Sequence, residues 1–318
     1  PTGVRLATRP MAARPLRRAW ARGSGPPIEW WTGPVQVVHG PNFVVPSARG
    51  AARVVTVHDL TAWRFPELVD SATAAYPALV ARAVADGAWV HTPSRFVADE
   101  VCDLLGADGS RVVAVANGVT DLGPDDAGRD AAAGRRRAGA GRYVLALGTV
   151  EPRKDLPGLV AAFDAVAAVH PDVHLVLAGP DGWGVGDLDA AVAAASHRDR
   201  VRRLGWVDAD ERVALLRGAA VVAYPSVYEG FGLPLLEAMA CGAPVLSSNT
   251  SSLTEIGGDA PLYFDPYDLD AMAEAIRTVW SDSALQADMR RRGLRQAARF
   301  SWDLAAAETC AVYDSLLR

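Results

Sequence analysis

Residues 220–248 read AVVAYPSVYEGFGLPLLEAMACGAPVLSS, and this stretch decides the fold. Its opening, 220–224, is an apolar run of strand length bounded by Pro225 and Ser226. A loop containing Gly230 and Gly232 follows, and Pro234 stands where the first turn of a helix accepts a residue without an N–H. Residues 235–240 are helix formers, and 244–247 is a second apolar run. A strand, a short helix and a strand in close succession make a crossover unit, which implies parallel strands. Working outward, apolar runs at 143–147, 174–178, 201–204 and 262–264 alternate with helical patterns at 156–170, 188–197, 210–217 and 252–256. Helices at 269–280, 283–298 and 302–317 close the chain. The first half repeats the rhythm, with strands at 35–39, 54–57, 89–92 and 112–116 and helices at 72–86 and 95–105. The fold class is α/β with parallel sheets.

A chain of 318 residues holds about two domains at roughly 150 residues each. The expected division is a first domain over 1–122, a linker over 123–142 rich in Gly, Ala, Asp and Arg, a second domain over 143–300, and a terminal helix over 301–318. Half the residues are apolar and 22% are charged, which excludes disorder and disulfide scaffolds. A net charge of -5 provides no global field for gripping nucleic acid, so no nucleic-acid partner is expected. Cys102, Cys241 and Cys310 lack metal-ligand spacing and read as reduced thiols of a cytoplasmic protein. The close pair His170 and His174 straddles Pro171, so no metal site is expected. No apolar run is long enough to span a bilayer.

The start of the chain is unusual. Pro1-Thr2-Gly3-Val4 runs directly into a basic stretch with no strand before it. The reading expects an initial strand to be missing before Pro1, and Val4 and Arg5 not to be neighbours in the native chain. Between Arg5 and Arg22 lie six arginines, no acids, and Met11, Leu16 and Trp20. Such a segment suits either peripheral contact with an anionic membrane surface or an irregular solvated run, with Pro10 and Pro15 breaking any long helix.

Of the 32 basic residues 31 are Arg, and the single lysine, Lys154, lies in Gly148-Thr149-Val150-Glu151-Pro152-Arg153-Lys154-Asp155 after an apolar run. A compact ammonium there can meet an anion. Ligands of open α/β sheets bind beyond the carboxyl ends of strands, the position of both this loop and the 225–232 loop. Gly230 and Gly232 let backbone N–H groups approach a sugar or phosphate, and the helix that follows adds partial positive charge. Glu229 and Glu237 offer paired acceptor oxygens suited to vicinal hydroxyls. Taken singly, Glu237 reads as an acid stabilising a helix's first turn and Glu229 as a solvated loop acid.

Together these residues resemble a known family. Glu229 to Glu237 is similar to the E-x7-E motif of retaining glycosyltransferases, in the E-G-F-G-L-P-x-x-E form of glycosyltransferase family 4. Gly148-Thr149 with Glu151-Pro152-Arg153-Lys154 resembles that family's diphosphate-binding segment, and Leu204-Gly205-Trp206-Val207 its stretch near the nucleotide base. Gly40-Pro41-Asn42, Val57-His58-Asp59-Leu60, Thr92-Pro93-Ser94-Arg95 and Asn117-Gly118-Val119 match its first-domain pattern.

The resemblance implies a GT-B architecture, two Rossmann-like domains facing across a cleft with the last helix crossing back. It implies a nucleotide-sugar donor contacted by Gly148, Thr149, Gly205, Trp206, Val207, Gly230, Phe231, Gly232 and Leu233. Arg153 and Lys154 would neutralise the departing diphosphate, Glu237 would hold the ribose, Glu229 the transferred sugar, and His58 would face that sugar. Acceptor-side residues would be Gly3, Asn42, Asp59, Arg95 and Asn117. No metal or other cofactor is implied. GDP-mannose is the first expectation for the donor and a UDP-hexose the next, with a glycan or lipid-linked acceptor. Asp155 stands where relatives often carry Asn, and reads as a helix cap.

Two other readings keep the architecture: a nucleotide-sugar 2-epimerase of GT-B fold, and a non-catalytic sugar-nucleotide-binding protein. The joint presence of the 229–237 and 151–154 motifs favours transfer. A dinucleotide dehydrogenase is the weakest reading, because Gly182-Trp183-Gly184-Val185-Gly186 lacks the G-x-G-x-x-G spacing.

Overall fold

The computed structural model describes residues 12–22, 25–69, 73–120, 123, 125 and 128–317. The expectations about Gly3, the Val4–Arg5 junction and a lost first strand lie outside the described residues. The chain divides into two compact units, Pro1–Ala116 with Leu304–Arg318, and Asn117–Asp303.

The first unit carries a parallel sheet of β1 (Val37–Gly40), β2 (Ala52–Thr56), β3 (Trp89–Thr92) and β4 (Val112–Ala114), paired in that order. Ser94 caps the helix Arg95–Leu105 by accepting from the Val97 N–H, and Gly106 ends it in the left-handed conformation. Tyr313 of the terminal helix Trp302–Leu316 meets His39 Nδ1 at 2.5 Å. A helix also runs over Ala13–Ala21. Pro15 does not break it because it falls in the first turn, where its missing N–H has no partner to lose.

The second unit carries β5 (Val144–Leu147), β6 (Leu175–Ala178), β7 (Val201–Gly205), β8 (Val221–Tyr224), β9 (Val245–Ser248) and β10 (Leu262–Phe264), all parallel, in the order β10-β9-β8-β5-β6-β7. The order reverses between β5 and β8. Such a switch point, at the strands' carboxyl ends, is where open parallel sheets bind ligands. Both motif-bearing loops emerge there. The helix Leu156–Ala167 buries Leu159, Phe163 and Val166 against the sheet and against Met272, Ile276 and Val279 of the helix Leu269–Ser281. Each such side chain contributes about 1.5–3 kcal/mol by leaving water, which fixes the strands that carry the loops.

The stretch 123–142 is not an exposed linker. It contains the helix Arg129–Ala138, which belongs to the second unit. Gly134 and Ala138 are buried, Gly134 so close to Ala214 O of the helix Ala209–Gly218 that a Cβ would collide with it, and Arg137 pairs with Glu211 at 2.5 Å. The scarcity of large apolar residues is thus a small-residue packing face. The division between the units falls at 116/117 rather than at 122, so Asn117 opens the second unit.

Candidate active site

The loop after β5 turns at Gly148, whose φ of 144° only glycine adopts freely and whose missing side chain faces Lys154 Cε. Thr149 and Val150 lead into a single 3-10 turn, Pro152–Lys154. Asp155 follows in the left-handed region (φ 44°) and caps the helix Leu156–Ala167 by accepting from the Gly158 N–H at 3.2 Å. The loop after β8 is tied to this turn: the Val227 N–H donates to Arg153 O at 2.9 Å. Two strands that adjoin only through the switch point therefore bring their loops into contact.

Their charged side chains meet in one buried cluster. Lys154 Nζ donates to Glu229 Oε1, and also to the Tyr224 hydroxyl at 2.8 Å. That hydroxyl donates to Glu229 Oε1 at 2.9 Å. The other carboxylate oxygen, Glu229 Oε2, lies 2.7 Å from an Arg153 guanidinium nitrogen, while Arg153 Nε bonds Glu151 Oε2 at 2.9 Å. Lys154 is 8% exposed, Glu229 7% and Tyr224 2%, so water contributes little here. Burial alone would push the Glu229 carboxyl up, but the charges of Lys154 and Arg153 overcome it and hold it at about 2. Burial pulls the Lys154 ammonium below the ordinary lysine range, and Glu229 opposes that pull. The ionised pair is the state that fits the geometry, since Arg153 holds the Glu229 carboxylate ionised and the Lys154 ammonium lies directly against that charge. Glu229 is therefore not a solvated loop acid.

The backbone around Glu229 is equally fixed. Its N–H donates to Ser251 Oγ at 3.0 Å, and its carbonyl accepts from Ser252 Oγ at 2.8 Å. Gly230 and Phe231 are buried, the Phe231 ring edge-on to Phe300 with centroids 6.0 Å apart. Gly232 has φ 97°, and a Cβ there would strike Leu253.

Glu237 has a different setting. The helix it belongs to is Leu233–Ala240, so Glu237 sits beyond the first turn rather than within it. Its partner is Arg212, at 3.0 Å. Burial raises its carboxyl, with Arg212 opposing. Leu233, Glu237, Arg212 and Asp210 line a cavity of about 350 Å³ closed by Gly118 and Trp302. Of the other expected donor contacts, Gly205 is in the left-handed region (φ 67°), Trp206 is 70% exposed and Val207 is half-buried.

In the first unit, the expected acceptor-side residues follow the carboxyl ends of β1, β2 and β3. His58 is exposed. Its Nε2 donates to Pro41 O at 2.8 Å, and Phe43 stands edge-on to the ring at 5.6 Å. Asp59 Oδ1 accepts from the Thr61 N–H at 2.9 Å, and Asn42 and Arg95 are exposed.

Tyr224, Glu151, Ser251 and Arg212 are site residues that sequence reasoning missed. Glu151 and Tyr224 stood inside the quoted motifs, where a buried Lys and Glu nearby call for additional polar partners. Ser251 and Arg212 carry no local signal. Among the described residues no group of His, Cys, Asp and Glu side chains comes together as metal ligands would.

Comparison with known proteins places this geometry. The model of "Glycosyl transferases group 1" matches residues 132–296, and that of "Glycosyltransferase Family 4" matches residues 2–121. The chain is 34% identical to the O-antigen chain mannosyltransferase B of Escherichia coli over 88% of its own length and 74% of that protein's. It is 33% identical to a glycogen synthase of Mycobacterium tuberculosis over 70% of its length, spanning 53% of that enzyme. Anabaena HepE in complex with UDP-glucose shares the fold at 20% identity and a TM-score of 0.71, over 83% of this chain and 72% of HepE.

Proposed function

The chain belongs to the family 4 glycosyltransferases of GT-B fold, and from that premise we propose that it is a retaining, metal-independent hexosyltransferase. It moves mannose from GDP-mannose, ahead of glucose from a UDP-sugar, to a hydroxyl of a glycan or lipid-linked acceptor. One observation carries the reading: Arg153, Lys154 and Glu229, from loops after β5 and β8, share one buried cluster at the switch point. The similarity to a mannosyltransferase over most of the chain supports mannose.

Chemically, the bond between the sugar's anomeric carbon and the diphosphate oxygen breaks, and the electron pair leaves with the diphosphate. Arg153 and Lys154 meet that growing negative charge in a site with little water, where charge-assisted contacts stabilise most. The acceptor hydroxyl attacks from the face the diphosphate leaves, and its proton passes to a departing phosphate oxygen. Glu229 binds and orients the sugar instead of attacking it. Glu237, beyond the first turn of its helix, accepts from the ribose hydroxyls.

Among the described residues no helix is long and apolar enough to cross a membrane. The segment Arg5 to Arg22, helical over Ala13–Ala21, supplies peripheral contact with the anionic inner face of the membrane, with the catalytic units in the cytoplasm.

Thermal denaturation with GDP, UDP and their hexose conjugates tests the donor. The matching nucleotide at 100 times its dissociation constant should stabilise by about 2.7 kcal/mol, and donor turnover should release nucleoside diphosphate with the anomeric configuration kept. If no nucleotide stabilises the protein and none is released, the proposal fails.

A further inference from the structure

The cations assigned to the diphosphate are already occupied. Glu229 spans them, one carboxylate oxygen on Lys154 and the other on Arg153, the two-point bridge that a phosphate group would also make. All of this lies in a site where an unpaired Lys would be costly, so some anion must hold the place. A diphosphate that took both cations would bring its oxygens against the Glu229 carboxylate, because each cation already holds one of that carboxylate's oxygens. Two anions that close in a buried site repel by far more than they would in water.

We propose that Glu229, clamped by the Tyr224 hydroxyl, stands in for the diphosphate in the donor-free protein, so that donor binding exchanges one anion for another at Arg153 and Lys154, with Tyr224 as a positioning residue. This rests on the donor reading above and adds an order of events to it. The arriving diphosphate takes over the two cations. The displaced carboxylate is freed to accept from the hydroxyls of the sugar that enters with it. Grip on the sugar is thereby tied to occupancy by the diphosphate. Tyr224 sets the resting position because its ring is buried at the end of β8 while its hydroxyl touches both Lys154 and Glu229. It also keeps one acceptor on Lys154 while the carboxylate moves.

The exchange makes an unusual demand: removing part of the site should tighten binding. Calorimetric titration of inorganic pyrophosphate, GDP and UDP into the full chain at neutral pH decides it. Glu229→Gln keeps the shape and removes the competing charge. It should bind the nucleoside diphosphate and pyrophosphate about tenfold more tightly, the equivalent of roughly 1.4 kcal/mol, while transfer is lost. Tyr224→Phe loosens the clamp on one oxygen only and should tighten binding by about two- to threefold, with donor KM and kcat falling together. A structural ion pair predicts the opposite sign, because its loss leaves the cations disordered. Equal or weaker binding by both variants overturns the exchange while leaving the donor reading intact. If Glu229→Gln does not fold, the sign for Tyr224→Phe decides alone. If the wild-type chain binds none of the three probes, the donor reading falls and the exchange with it.

Discussion

At the carboxyl ends of β5 and β8 the charged side chains are buried and spend their oxygens and N–H groups on one another. At the carboxyl ends of β1, β2 and β3, His58, Asn42 and Arg95 stand exposed, and His58 donates to a backbone carbonyl. On the proposed function, the difference follows from what each region would recognise. A diphosphate has fixed geometry and high charge, so a preformed cluster of opposite charge is effective and must be held rigid against the cost of burying it. A hydroxyl on a variable acceptor has neither property, and exposed loop side chains on a fixed sheet are how folds accommodate variation.

The sharpest way to break this comparison is to truncate one residue on each side. Lys154→Ala or Arg153→Ala should lower turnover by about 10²-fold or more, as loss of a charge-stabilising donor does elsewhere, and should weaken nucleoside diphosphate binding. Either variant should still fold, since Glu229 keeps the other cation and the Tyr224 hydroxyl. His58→Ala should leave nucleoside diphosphate binding at the wild-type value and lower transfer by about tenfold, the worth of one hydrogen bond of roughly 1.4 kcal/mol. Steady-state rates and titrations on the three variants check this. If His58→Ala impaired nucleotide binding as much as Lys154→Ala, the assignment of separate roles would be wrong.

The charged cluster at β5 and β8 was legible in the sequence because its signals are local. Strand-end loops carry Arg153, Lys154 and Glu229 in short motifs, and a lone lysine among arginines marks its own position. What could not be read was partnership across the chain. Tyr224 completes the lines Lys154 and Glu229 began, but only the adjacency of β5 and β8 says so. Arg212 reaches Glu237 from a separate helix, and reading Glu237 as a first-turn acid missed that the helix begins at Leu233. The helix Arg129–Ala138 was hidden because small residues signal a linker and a close-packed face equally well. The half-buried ring cluster of the first unit, His39 with His91 and Tyr313, left no trace in any motif.

That ring cluster sharpens the comparison, because the first unit half-buries two histidines whose burial favours the neutral ring. His39 Nε2 meets Thr56 Oγ1 at 2.6 Å, Thr56 Oγ1 meets His91 Nδ1 at 3.3 Å, and His91 Nε2 is buried without a hydrogen-bond partner. Burial, with His39 and His58 adding to it, pushes the His91 ring down to about 4 from an ordinary 6.5. Acid therefore favours the unfolded first unit: the stability is present above about pH 6.5 and is lost as pH falls toward 4. The Glu229 cluster has the later acid limit, keeping its contribution above about 4.5 and losing it only toward 2. Hydrogen exchange between pH 7 and 4.5 should show the first unit opening before the second, by about 2 kcal/mol after allowance for solvent screening. His91→Leu, which leaves Thr56 its bond to His39, should flatten that loss. An equal response of both units to acid would contradict the contrast.

The smallest effect tests an acid of the second unit that burial raises, as it raises Glu237. Asp155 is partly buried beside the cationic turn, yet burial dominates and raises its carboxyl to about 6, with the Gly158 N–H opposing. A raised acid stabilises the fold in its protonated form, so its contribution is full below about 3.8 and lost as pH rises through 6. Asp155→Asn keeps the cap and suits the left-handed backbone equally well. It should stabilise by about 1 kcal/mol at pH 8, discounted because the group is only half-buried, or roughly 2 °C in Tm for a chain of this size, and the gain should disappear near pH 4. A gain that persisted at pH 4 would trace to backbone conformation rather than to charge. Only a pH-dependent gain would show that the charge carried beside Lys154 is tolerated by the helix cap and not held by the cation, which would leave Glu229 as the acid the site is built around.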